Sequence, residues 1–227
     1  MSRRQAAVDV VLTVLLVLAS ATLAGLVIGL VSSGPPSLSA AVAVQGLLAI
    51  AGVYVMLDWR EQPWSAIGLT RPSWRDVGRG LLVLAAGFAV NTALAAAAVA
   101  LSPQTLEQHI ETLSSVAADL TLDTPLPQAL AVLVIVGFYE EVLSRGLLLT
   151  RSRRLLGGYW PPVLFSALLF SLGHFYQGLY GVLQTALFGI VLAAFTLRWG
   201  TLWPAIIAHT AINMLSLVQL DDLATAG

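Results

Sequence analysis

Residues 134–149 read VIVGFYEEVLSRGLLL, a run apolar enough to lie in a bilayer that nevertheless holds Glu140, Glu141 and Arg145 in its middle. An ionisable side chain at the centre of a membrane helix costs about 3 kcal/mol, and it persists where it meets a partner or a water-filled cavity. Glu141 and Arg145 are four residues apart with the acid first, which places them on one helix face in the favourable order for an ion pair. Glu140 is turned about 100° away on the helix and has no counter-charge in its own segment. The fold has to supply whatever Glu140 faces.

The composition fits that setting. Of 227 residues, 58% are hydrophobic and 10% charged, with a mean hydropathy of +0.86. These values lie outside the soluble range and predict an all-α, polytopic membrane bundle. The formal net charge of −1 offers no basic surplus for nucleic acid. Cysteine is absent, which excludes disulfides and cysteine–metal chemistry.

About 20 apolar residues cross a bilayer as a helix, and by that rule about seven spans are expected. They run roughly 8–31, 38–57, 79–101, 128–149, 160–176, 179–197 and 202–220, with SSGPPS (32–37) between the first two. Ser2-Arg3-Arg4 and Ala19-Ser20-Ala21 imitate a signal peptide, but the apolar run continues past Ala21, so no cleavage is expected. All 11 basic residues are arginines. Arg145 aside, they lie in the N-terminus and in the connections after spans 2, 4 and 6. The positive-inside rule then places the N-terminus in the cytoplasm and the C-terminus outside, in a plasma-membrane protein. All six tryptophans share the arginine side, where anchoring among headgroups suffices to explain them. The chain reads as a single membrane domain, 1–227. Spans 1–3 and an outer segment (1–127) are peripheral to the polar spans of 128–220.

Two connections are long. The one at 58–78 is expected to lie partly in the interface. The outer one, 102–127, has acids but no base and a helical stripe of Leu106, Ile110, Leu113 and Leu120. It predicts a short amphipathic helix on the outer membrane face, opened by a capping box of Thr105 and Gln108, with His109 solvated. Gln45, Asn91 and Gln184 are expected to hydrogen-bond between helices, and Gly25 and Gly29 form a packing GxxxG.

Two histidines remain inside spans, each in a pair four residues apart: Phe170 with His174, and His209 with Asn213. At about 1.5 Å per residue, Glu140, His174, His209 and Asn213 lie ~15, ~20, ~12 and ~18 Å from the arginine side, which is one level within the uncertainty of the span ends. A carboxylate, two imidazoles and an amide at one depth point to a site. These residues also carry a resemblance. Glu140-Glu141-Val-Leu-Ser-Arg145, Phe170-Ser-Leu-Gly-His174 and His209-Thr-Ala-Ile-Asn213 resemble the EExxxR, FxxxH and HxxxN/D motifs of the CPBP family, which contains the CAAX prenyl endopeptidases and the Abi bacteriocin-processing proteins. Trp203-Pro204 resembles the family too; spans 1–3 do so only in general character. The resemblance implies that Glu140 and His174 activate a water and that His209 and Asn213 stabilise the oxyanion. Glu141 and Arg145 would support them, with Phe170 beside them.

The chemistry agrees, because peptide hydrolysis needs a base for water and donors for a tetrahedral oxyanion. His209 Nε2–H and the Asn213 amide are the expected donors. Glu140, His174 and His209 also match a zinc set with one open position. No HExxH is present, and no obligatory cofactor is expected. The expected function is an intramembrane endopeptidase acting on a membrane-associated peptide or protein, lipidated or unmodified. Its polar cavity is expected in the cytoplasmic half, between spans 4, 5 and 7. A proton-coupled carrier and a non-catalytic scaffold or immunity protein are the rival readings.

Overall fold

The structure, a computed structural model, describes residues 1–32 and 37–226, so most of the SSGPPS connection lies outside the described residues. The helices are α1 (Arg3–Val31), α2 (Leu38–Trp59), α3 (Trp74–Leu101), α4 (Pro103–Thr121), α5 (Leu126–Glu141), α6 (Leu149–Leu156), α7 (Trp160–Leu172), α8 (Gly178–Trp199) and α9 (Trp203–Ala226). A π-helical segment, Val142–Leu148, joins α5 to α6 without interruption, giving one 31-residue rod. No strand occurs among the described residues. Six helices are long and apolar enough to cross a membrane, against the expected seven or so. The difference is α7, which has 13 residues and stops at Leu172, so that His174 follows the helix instead of lying inside it.

Local chemistry sets the ends. Ser2 Oγ accepts from Gln5 N at 3.1 Å while Gln5 Oε1 accepts from Ser2 N at 2.7 Å, a reciprocal box that starts α1. Gly200 ends α8 at φ +68, a left-handed conformation that costs a side-chain-bearing residue more. The helix α4 starts at Pro103 behind Ser102, which overturns the predicted Thr105–Gln108 box: Thr105 is already inside the helix, with its hydroxyl 2.9 Å from that of Ser102.

The helices pack in neighbouring pairs, α1 on α2 and α7 on α8 antiparallel and α3 on α9 parallel, with Gly80 near the start of α3 against Pro204 and Ile207 near the start of α9, while α5 lies between α2 and α9. At Gly137 the backbones of α5 and α9 touch, since a Cβ there would sit 3.1 Å from Thr210 N and Cα. The arginine end is closed by Ile67, Val142, Leu147 and Leu202, all fully buried. Ile67 arrives on a 3-10 turn, Trp64–Ile67, whose following Gly68 carbonyl accepts from Leu202 N at 2.9 Å. Connection 58–78 is therefore docked into the bundle beyond the interfacial position expected for it. Two tryptophans follow it inward: Trp64 packs on this core, and Trp203 does so while donating Nε1–H to Thr70 O at 2.7 Å. A backbone acceptor in the connection takes Trp203 out of the headgroup role, and packing on the core takes Trp64.

A residue the sequence reading passed over holds α1 in place. Asp9 is buried and accepts from Arg60 Nε and Nη2 at 3.0 and 2.6 Å, with Arg151 Nε 3.2 Å from its other oxygen. A carboxylate so buried is stable only with such partners.

Candidate active site

Glu140 and Glu141 are the last residues of α5 and face different surroundings. The Glu141 side chain is fully buried, whereas that of Glu140 is 20% exposed to the adjoining cavity. Arg145 Nη1 donates to Glu141 Oε1 at 2.7 Å, the pair expected from the spacing. Arg145 is itself fully buried, donates to Ser144 Oγ at 2.8 Å, and has its guanidinium 4.3 Å from the Phe170 ring centroid. This is a cation–π contact in a desolvated place, where such contacts are strongest. The backbone here is π-helical, with Leu149 N–H donating to Ser144 O five residues back. Such bulges concentrate at functional sites. Nothing in VLSRGLL marked it in advance.

His209, on α9, is bound to Glu141 and faces Glu140. Its Nδ1 lies 2.7 Å from Glu141 Oε1, and its Nε2 lies 3.7 Å from Glu140 Oε2. A carboxylate only accepts, so Glu141 fixes the proton on Nδ1. The Nε2 that faces Glu140 is consequently a donor only in the imidazolium, a condition absent from the simple Nε2–H expectation. Phe170 and Phe188 stand edge-on to the His209 ring, each at 6.0 Å, and hold its plane. His174 sits in the bend after α7, with Nδ1 3.1 Å from Phe170 O. With Nδ1–H donating to that carbonyl, the neutral ring presents Nε2 as an acceptor. Tyr176, which the sequence reading did not single out, stacks beside it at 6.1 Å.

Glu140, His174, His209, Asn213 and Phe170 all line one cavity of about 550 Å³, so the structure brings the expected residues together. The cavity's position corrects an expectation. Its walls are Leu38 and Val42 of α2, Leu133 and Val136 of α5, Gln184 and Thr185 of α8, and Ser216, Leu217 and Leu220 of α9, together with α4. These lie on the arginine-free side of the site, opposite the half assigned from sequence. The depths placed the polar groups at one level, but the apolar closure around Ile67 takes the space below them.

The helix α4 is likewise more than a surface helix. It has 19 residues and covers the cavity with Leu113, Val116, Ala117 and Leu120. His109 is buried, not solvated, because its Nε2–H donates to Gln184 Oε1 at 2.9 Å and its ring packs on Tyr180 at 4.7 Å. Burial lowers its pKa from the usual 6.5, opposed by the hydrogen bond to the Gln184 side chain. Gln184 thus makes the expected interhelical bond. Asn91 does not: its Oδ1 is buried in the cavity wall with no partner.

The zinc reading finds a poor fit. No three His, Cys, Asp or Glu side chains among the described residues are grouped closely enough to share an ion. Each histidine holds Nδ1 in a hydrogen bond, His209 to Glu141 and His174 to a carbonyl, which leaves Nε2 as its ligand-facing nitrogen; it is the spacing of the groups that does not suit an ion.

Residues 122–215 match the family model of type II CAAX prenyl endopeptidases, Rce1-like. The likeness to that family extends over 94 of the 227 residues. The Rce1-like segment begins just before α5, ends within α9 and contains all seven residues of the three motifs; α1 to α4 lie outside it. No curated protein and no solved structure matches the chain.

Proposed function

We propose that the protein is an intramembrane endopeptidase of the CAAX prenyl protease type, acting on a membrane-associated peptide or protein, lipid-modified or not. The observation that carries this is the division between the adjacent acids: Glu140 faces the cavity beside two histidines and an amide, while Glu141 is sealed against Arg145 and His209. In the proposed reaction the Glu140 carboxylate takes a proton from water as the water oxygen bonds to the scissile carbonyl carbon. His174 Nε2 accepts the water's other hydrogen and orients it. The carbonyl electron pair moves onto oxygen, which receives hydrogen bonds from the Asn213 amide and from Nε2–H of imidazolium His209. Collapse of the tetrahedral centre breaks the C–N bond, and the leaving nitrogen takes the proton held by Glu140. Glu141 and Arg145 position His209 and touch no reacting atom.

We place the protein in the plasma membrane with its arginine-rich end in the cytoplasm, a reading supported by the charge asymmetry. No step is routed through a metal, given the poor fit of the candidate ligands. The test is incubation of detergent-purified protein with an internally quenched apolar peptide, with and without a chelator. Cleavage within twofold in both samples is expected. Absence of cleavage across a panel of apolar and prenylated peptides would argue for a non-catalytic protein, and loss on chelation would return the zinc reading.

A further inference from the structure

The cavity and the positive charges occupy opposite ends of the bundle. Arg60 and Arg151 are bound to Asp9 and Arg145 to Glu141, so these three report on packing and not on orientation. The remaining eight still lie at one end: at the start of α1, between α2 and the first two turns of α3, and in the last turns of α6 and α8. At that end the fully buried Ile67, Val142, Leu147 and Leu202 close the bundle beneath Glu140. From Glu140 outward, in contrast, α2, α4, α5, α8 and α9 line open space.

A side entrance lies in the same half. The 13 residues of α7 rise about 18 Å, short of the ~30 Å hydrocarbon thickness that α8 spans. Beyond Leu172 the wall is only the bend at Phe175–Gln177, and α5 does not pack closely on either α7 or α8. Phe175 and Leu179, at 70% and 80% exposure, flank this gap with apolar surface. On the same side of the bundle α4 exposes Glu107, Glu111 and Asp119, and 102–127 contains no Lys or Arg.

From these features we infer that the substrate enters from the arginine-free face, which the positive-inside rule places outside the cell. It is an apolar, membrane-inserted peptide whose cleaved bond lies in the outer leaflet and whose outer flank is basic. The inference deepens the protease reading and rests on it for the cleavage, though not for the side of access. About 550 Å³ accommodates a few apolar side chains, in the size range of small-ligand sites. A substrate carrying its cleavage signal on a cytoplasmic tail would meet the closed end.

The absence of native cysteine makes the side measurable without activity. Full-length Ser216→Cys, which reports on the cavity, and Ser73→Cys, which reports on the arginine end, are treated with a membrane-impermeant thiol reagent in right-side-out and inside-out vesicles. Position 216 is expected to react in right-side-out vesicles and position 73 in inside-out ones. Reaction of 216 only from the side of 73, reaction from neither side, or reaction of 73 in right-side-out vesicles overturns the inference. A second arm adds a quenched apolar peptide with a Lys-Arg flank to sealed vesicles of the parent and of Glu140→Gln. Parent-specific cleavage is expected right-side-out and at least tenfold lower inside-out; the reverse ratio overturns the inference. If labelling follows expectation but the peptide survives even in detergent, the protease reading is what fails, while the side of access stands.

Discussion

Adjacent glutamates differ in chemistry here because their surroundings differ. Glu141 accepts from Arg145 and His209 with no exposed surface, so Glu141→Gln strands a buried guanidinium, a loss that typically costs ~3–5 kcal/mol. A lower melting temperature and lower detergent-stable yield are expected. Glu141→Gln with Arg145→Met should recover part of that loss, since removing both partners of a buried pair is often neutral. A thermal-melt comparison of the parent with the single and double variants checks this; a double variant no more stable than the single would mean that Arg145 is held chiefly by Ser144 and Phe170. At Asn213 the expectation is kinetic. Asn213→Ala should lower kcat by about 10²–10³-fold with a much smaller change in KM, as for removal of one oxyanion donor. A rise in KM alone would make Asn213 a substrate-binding residue. The pairing of Glu141 with Arg145 was legible from four-residue spacing. The bond from His209 to Glu141 was not, because it joins positions 68 apart and depends on how α5 meets α9.

Elements are positioned by contacts that hydropathy does not register. Gly137 lets α5 and α9 touch one turn before Glu140, and a methyl group there must displace the backbone at Thr210, next to His209. Gly137→Ala is expected to destabilise by ~1–3 kcal/mol, the usual cost of overpacking, and to impair cleavage by separating Glu140 from His209. Unchanged melting together with unchanged activity would show that the two helices have slack. His109 ties α4 to α8 as a neutral ring whose folded pKa lies below 6.5. The unfolded ring therefore binds its proton first as pH falls. The contribution of His109 is complete above about pH 6.5 and is lost as pH drops below that value towards the folded pKa. His109→Gln should flatten the melting temperature between pH 7 and 5 relative to the parent; an equal slope in both proteins would assign the dependence to another group. Length and periodicity revealed α4 but not its role, since an amphipathic helix looks the same whether its apolar face meets lipid or a cavity. The shortness of α7 was hidden for a similar reason: residues 173–177 are apolar enough to extend the span, while the turn depends on Gly178 at φ +75.

At the scale of the molecule, composition and the distribution of arginine were sufficient for an all-helical membrane bundle, and three short motifs were sufficient for the residues that gather around its cavity. Which half of the bundle holds the open space was not legible. Depth along a helix says where the polar groups lie, but the void depends on which apolar residues close the other end, here Ile67 and Leu202 from separate connections. The central claim is that this cavity is a hydrolytic site with Glu140 as its base, and one substitution addresses it with little change of shape. Glu140→Gln keeps the side chain's size and removes a partly exposed carboxylate whose charged neighbour, His209, stays bound to Glu141, so its melting temperature should stay close to that of the parent. Cleavage of a peptide that the parent cleaves, measured at equal concentrations of folded protein, should fall to background. Cleavage at the parent rate would contradict the account.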